Sequence, residues 1–170
     1  PIVDGGIDSS SWTKLLPGLW FKDEGFAATA VTNSSITFID GAAGRLEYRG
    51  YPIEDLANNS SFLEVAFLLL NGDLPNQIQL SSWEETISEA SDLDPNHHDL
   101  LLQAFQKDSH PMGMLTSALA ALSSMYPDSR NVEDPQIRSK HTVNLIAKIP
   151  SIAAAAENFR NGRTTQPFRQ

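Results

Sequence analysis

The apolar positions along the chain change their period near residue 50. Before it they fall in short branched runs, Thr29–Thr32 and Ser35–Ile39, a composition that suits a pleated, half-buried surface. Asp40-Gly41 and Gly44 supply the residues of a tight reversal into Leu46–Arg49, so this stretch predicts a small β-hairpin. The opening residues 1–11 carry Gly5, Gly6 and three consecutive serines with almost no apolar pattern, and they read as a loose leader.

From Tyr51 onward the spacing is helical. Pro52 suits the first turn of a short helix over IEDLA. Ser61 and Glu64 have capping-box spacing ahead of Val65–Leu70, with Asn71-Gly72 as a left-handed stop. Phe62, Val65, Ala66, Leu69 and Leu70 are apolar nearly all round, which predicts a helix buried on most sides. Pro75–Ser91 reads as an amphipathic helix with Ile78, Leu80, Trp83 and Ile87 on its apolar face, and Asn96–Lys107 as another. Ser109, His110 and Pro111 mark a break and a fresh start for a helix through Met112–Tyr126. Pro135–Arg160 predicts a long helix stopped by Asn161-Gly162 and kinked at Pro150, where a backbone donor is missing. Its run Ile152–Ala156 predicts close contact with a second helix.

Composition narrows the classes. The 170 residues include 41% hydrophobic and 19% charged side chains, a globular balance. No run approaches the eighteen or so apolar residues of a membrane span, and the N-terminus lacks a signal-peptide pattern, so a soluble, cytoplasmic protein is expected. With no cysteine there is no disulfide, thiolate metal site or thiol nucleophile. A formal charge of -9 repels a phosphate backbone, which argues against nucleic-acid binding.

The candidates for chemistry are few. His97 and His98 are neighbours that point in different directions on a helix and lack a third ligand at metal spacing. His141, between Lys140 and Thr142, reads as structural or exposed, and His110 as a helix start or hydrogen-bonding group. Gly41, Gly44 and Gly50 are interleaved with Asp40 and Glu47 and match no phosphate-cradling string.

The run Ser35–Pro75, SITFIDGAAGRLEYRGYPIEDLANNSSFLEVAFLLLNGDLP, together with DSHPMGM at Asp108–Met114 and LIAKIPSIAAA at Leu145–Ala155, resembles the amino-terminal portion of a bacterial-type citrate synthase. The resemblance implies a mainly α, multi-helical fold with a small N-terminal β element: a leader at 1–11, the β element at 12–50, and an incomplete large helical domain at 51–170. It implies an acyltransferase that condenses acetyl-CoA with oxaloacetate, with acetyl-CoA as substrate and neither cofactor nor metal.

The family's catalytic groups lie in strings resembling HxxNAS, HGGAN and GFGHR, none of which occurs here, so catalytic residues are expected beyond Gln170 and the chain is expected to be inactive alone. By the same resemblance Arg130 reaches the acyl-CoA of a partner subunit, and helices 112–126 and 135–160 build a homodimer or higher homo-oligomer. Some bacterial members bind NADH through an Arg-His pair near the position of Glu89–Ser91, and this chain lacks that pair. Two alternatives stand beside this reading, a fragment of a 2-methylcitrate synthase and a noncatalytic helical dimerisation module.

Overall fold

The computed structural model describes residues 29–93 and 104–163, and from the first 28 residues positions 2, 3, 6, 7, 9, 14, 16–18 and 22–25. The described residues are mainly α-helical with a small antiparallel sheet, and they form two units, residues 1–74 and 75–170.

In the first unit, β1 (Ile2–Val3) pairs antiparallel with β2 (Gly6–Ile7) where no regular element is expected. Asp4-Gly5 between branched residues is the hairpin signal that the reading of a loose leader passes over. The predicted hairpin forms from β3 (Thr37–Asp40) and β4 (Arg45–Tyr48), with Thr37 opposite Tyr48 and Asp40 opposite Arg45. Asp40 begins the turn by accepting from the backbone N–H groups of Ala42 and Ala43 at 3.1 and 3.0 Å, an Asx turn that Gly44 completes at φ 67°.

A third strand, β5 (Tyr51–Pro52), was not anticipated. It follows β4 through the two-residue loop Arg49-Gly50, where both residues have positive φ, 53° and 89°. Two positive φ values in a two-residue loop are the requirement of a type I′ turn, whose twist matches that of the strands it joins. Pro52 is therefore a strand residue, and α1 (Ile53–Asn59) begins one residue later.

Helix α2 (Phe62–Asn71) carries the expected capping box. Glu64 N–H donates to Ser61 Oγ at 3.2 Å, and Ser61 N–H donates to Glu64 Oε2 at 2.6 Å. Gly72, at φ 96°, ends it by donating its N–H to Leu68 O at 2.8 Å. The expected burial on most sides is not observed. Leu68 is fully buried, but Phe62 is 72% and Leu70 48% exposed.

The second unit is a helical cluster. Helix α3 (Gln77–Ala90) starts two residues after Pro75, because Asn76 caps it and Gln79 closes a second capping box. Ile87 is its buried anchor, whereas Ile78 lies off that face and is 82% exposed. The helix expected over Asn96–Lys107 falls mostly outside the described residues, and its described end, 104–107, is turn rather than helix.

Helix α4 (Pro111–Met125) starts at His110, whose Nδ1 accepts from Met112 N–H at 3.2 Å, and a 3-10 turn (Pro127–Arg130) follows it. Helix α5 (Pro135–Arg160) has the predicted limits, with Asp134 as its cap, and runs through Pro150 as one element. It packs against both α3 and α4. The core joins Ala118 and Leu122 of α4 to Ile152 of α5. Ile152, Ala155 and Ala156, from the run expected to meet a second helix, are buried within this unit.

Candidate functional site

Asp128, Lys140, His141 and Tyr126 come together where the 3-10 turn meets the first turns of α5. Asp128, on that turn, accepts from Lys140 Nζ at 2.8 Å through Oδ2. Its other oxygen lies 3.0 Å from His141 Nε2, but the imidazole is not lined up on it, and this buried nitrogen has no hydrogen-bond partner among the described residues. The His141 side chain is 12% exposed, held edge-on to the Tyr126 ring with centroids 5.7 Å apart. The Lys140 hydrogen bond holds the Asp128 carboxyl below the usual carboxylate range, with the charges of Lys140 and His141 acting in the same direction.

Beside this cluster is a cavity of about 300 Å³ whose lining includes Leu119, Leu122, Tyr126, Val132, His141 and Leu145. Of the lining hydroxyls, Thr142 Oγ1 donates to Arg138 O at 2.9 Å and Ser123 Oγ to Ala120 O at 2.7 Å, so these two are turned back onto their own helices rather than onto the imidazole. Arg138 donates to Val132 O at 2.7 Å. Among the described residues, no three His, Asp or Glu side chains group as metal ligands.

Arg130, the candidate for acyl-CoA, is exposed at the end of the 3-10 turn. It makes no hydrogen bond or ion pair with the described residues. His110 is a helix cap, His141 is half-buried against Tyr126 and beside Asp128, and His97 and His98 lie outside the described residues. Gly44 and Gly50 serve turns of the sheet.

A second polar centre joins α3 to α5. Lys148 is 5% exposed and donates from Nζ to Ala90 O and to Asp92 O, both at 2.6 Å, while Ser151 Oγ donates to Ser91 O at 3.4 Å. The last turn of α3 has no basic residue of its own, so Lys148 supplies the positive charge that a helix C-terminus favours and satisfies carbonyls that the helix leaves free. Burial pushes the Lys148 pKa down, opposed by the charge of Asp92. Glu89–Ser91 thus ends a helix tied down by a neighbouring one.

The family description "Citrate synthase, C-terminal domain" matches residues 25–170. The chain belongs to the citrate synthase family. That family is one of acyltransferase enzymes. Among curated relatives, the chain is 46% identical over 155 residues to a peroxisomal citrate synthase of Dictyostelium discoideum, covering 86% of this chain and 31% of the relative. It is 43% identical over 145 residues to the citrate synthase of Corynebacterium glutamicum, covering 85% and 33%.

The solved citrate synthase of Pyrobaculum aerophilum superposes with a TM-score of 0.75 at 29% identity, over 85% of this chain and 38% of that one. The mainly α fold is therefore that of citrate synthases. The chain spans about a third of the length of these curated relatives. No helix among the described residues is long and apolar enough to cross a membrane.

The Asp128–Lys140–His141 cluster and Lys148 both escape a reading by spacing. Asp128 reaches a lysine 12 positions away, across a turn, where no helical period operates. For Lys148 a signal exists: a lone cation inside the apolar run LIAKIPSI has to find acceptors or reach solvent.

Proposed function

We propose that this chain supplies helical scaffold to a citrate synthase that condenses acetyl-CoA with oxaloacetate, and that the groups performing the chemistry are not among its residues. The observation that carries the reading is the family match over residues 25–170 in a sequence without the catalytic strings of the resemblance. In that reaction a carboxylate takes a proton from the acetyl methyl, one histidine donates a hydrogen bond to the enolate oxygen, and a second assists attack on the ketone. His110 and His141 are engaged in capping and in packing against Tyr126, which fits a supporting role for both.

Two contributions from this chain belong to the proposal. Helices α4 and α5 pair with a second copy. The outward hydroxyls of Thr116, Ser123 and Ser124 bond to their own helix, which leaves α4 a smooth surface for close approach. Arg130 extends toward the CoA of the partner subunit, where its free guanidinium suits a phosphate. The expected cytoplasmic address competes with the peroxisomal name of the Dictyostelium relative.

The test uses a chimera in which this chain replaces the matching part of the Dictyostelium relative. Thiol release from CoA is expected with acetyl-CoA and oxaloacetate, with a higher kcat/KM than for propionyl-CoA. The reverse order would assign the 2-methylcitrate reaction instead. Arg130→Ala in the chimera is expected to raise KM for acetyl-CoA about tenfold, the loss of one charge-assisted bond, with kcat unchanged. An unchanged KM would remove Arg130 from the site.

A further inference from the structure

Two helices of this chain end on the same dipeptide. Asn71-Gly72 closes α2 and Asn161-Gly162 closes α5, with the glycines at positive φ, 96° and 65°. All four residues are exposed. An asparagine followed by glycine can cyclise, because with no Cβ in the way the glycine nitrogen reaches the side-chain carbonyl carbon. In that step the bond from the glycine nitrogen to Asn Cγ forms, the Cγ–Nδ2 bond breaks, and ammonia leaves with the proton of the glycine N–H. Water then opens the imide ring at either carbonyl. The product is aspartate or, with the backbone rerouted through the side chain, isoaspartate.

The nucleophile does not separate the two sites. Gly72 N–H donates to Leu68 O at 2.8 Å and Gly162 N–H to Phe159 O at 3.1 Å, so each must first leave a carbonyl. The carboxamides do differ. Asn71 Nδ2 makes one bond among the described residues, to Phe67 O at 3.0 Å. Asn161 Nδ2 makes two, to Glu157 O at 2.8 Å and to Glu157 Oε1 at 2.7 Å, and Arg160 steadies that carboxylate at 3.0 Å. Turning the Asn71 amide onto its glycine breaks one neutral hydrogen bond. Turning Asn161 breaks two, one of them to a charged group and so roughly twice as strong.

We infer that Asn71-Gly72 is a site of spontaneous covalent modification that ages the first unit, and that Glu157 guards Asn161-Gly162 against the same change. The end of α2 is where such a change matters. Leu69 O, just before Asn71, accepts from Arg49 Nη2 at 2.8 Å, and Arg49 holds the β4–β5 turn at φ 53°. Just beyond Gly72, Asp73 Oδ1 accepts from the Tyr51 hydroxyl of β5. Isoaspartate at position 71 lengthens the backbone between these two ties by one carbon and shifts the Gly72 N–H off Leu68 O. The last turn of α2 has no basic residue of its own to receive the new carboxylate.

The experiment incubates the purified 170-residue chain in mildly alkaline buffer, folded and in urea. Both asparagines are followed by peptide mapping with electron-transfer fragmentation, which tells isoaspartate from aspartate. In urea the two are expected to convert at similar rates. In the folded chain, conversion at Asn71 is expected to exceed that at Asn161 about tenfold or more, the factor set by the additional charge-assisted bond. Glu157→Ala, a change at an exposed position, is expected to bring the Asn161 rate close to that of Asn71. The backbone amides of residues 49–51 are expected to lose hydrogen-exchange protection in step with conversion, and Asn71→Gln, which cyclises far more slowly, is expected to keep it.

The inference is overturned if Asn161 converts as fast as Asn71 in the folded chain, or if neither converts there while both do in urea. It is equally overturned if Glu157→Ala leaves the Asn161 rate unchanged. Conversion at Asn71 with unaltered exchange at residues 49–51 overturns the loosening of the sheet.

Discussion

At the scale of the residue, Lys148 sits at 5% exposure with two backbone carbonyls at 2.6 Å, so its removal leaves two part-buried acceptors without that donor. Lys148→Met is expected to lower stability by about 1–2 kcal/mol, the cost of two lost hydrogen bonds from a charged donor to part-buried carbonyls, as read from urea denaturation midpoints. Ser151→Ala should cost much less, because its bond is 3.4 Å long. The pKa of Lys148 is pushed down by burial, so the unfolded chain holds that proton more tightly. Its contribution therefore rises as pH climbs from the folded toward the unfolded lysine value, and Lys148→Met should flatten that alkaline slope.

Asp128 has the opposite sign. Its folded pKa is lowered, chiefly by Lys140, so its contribution is present above the unfolded carboxylate value and lost as pH falls through the folded one. Asp128→Asn should remove this part of the acid limb, seen in melts from neutral pH downward. An unchanged limb would contradict the ion pair.

At the scale of the element, the caps and stops were legible in the sequence because each is a local pattern. Ser61 with Glu64, Asn71-Gly72 and Asp134-Pro135 all stand where they are needed. The strand β5 was not legible, because Tyr51-Pro52 has the form of a helix start and the positive φ of Arg49 has no sequence signal. That φ is held by tertiary bonds: Arg49 donates to Ser35 Oγ and to Leu69 O, each at 2.8 Å.

Gly50 shares the turn at φ 89°, and nothing lies within 4 Å of where a Cβ would stand. Gly50→Ala should therefore cost about 1–2 kcal/mol through backbone conformation alone, measured by denaturant unfolding. Ser61→Ala should cost about 1 kcal/mol as a lost cap. If Gly50→Ala were neutral, the two-residue turn would be wrong.

At the scale of the molecule, what the sequence could not reveal is where each apolar face finds its cover. Ile152, Ala155 and Ala156 of the apolar run are buried inside the second unit, whereas α2 looked interior and leaves Phe62 and Leu70 exposed. Periodicity reports that a face is apolar; the rest of the chain decides which element meets it. The same limit applies to the site. His110 caps its helix as its place before Pro111 suggests, whereas the packed position of His141 beside Asp128 spans a sequence separation that no motif covers.

The central claim is that this chain is citrate synthase scaffold whose chemistry comes from other residues. The most direct measurement compares CoA release from acetyl-CoA and oxaloacetate by the isolated 170-residue chain and by the chimera with the Dictyostelium relative. The account predicts no release above background from the chain and clear turnover by the chimera. Turnover by the chain alone, or a chimera that is folded by circular dichroism yet inactive, would contradict it.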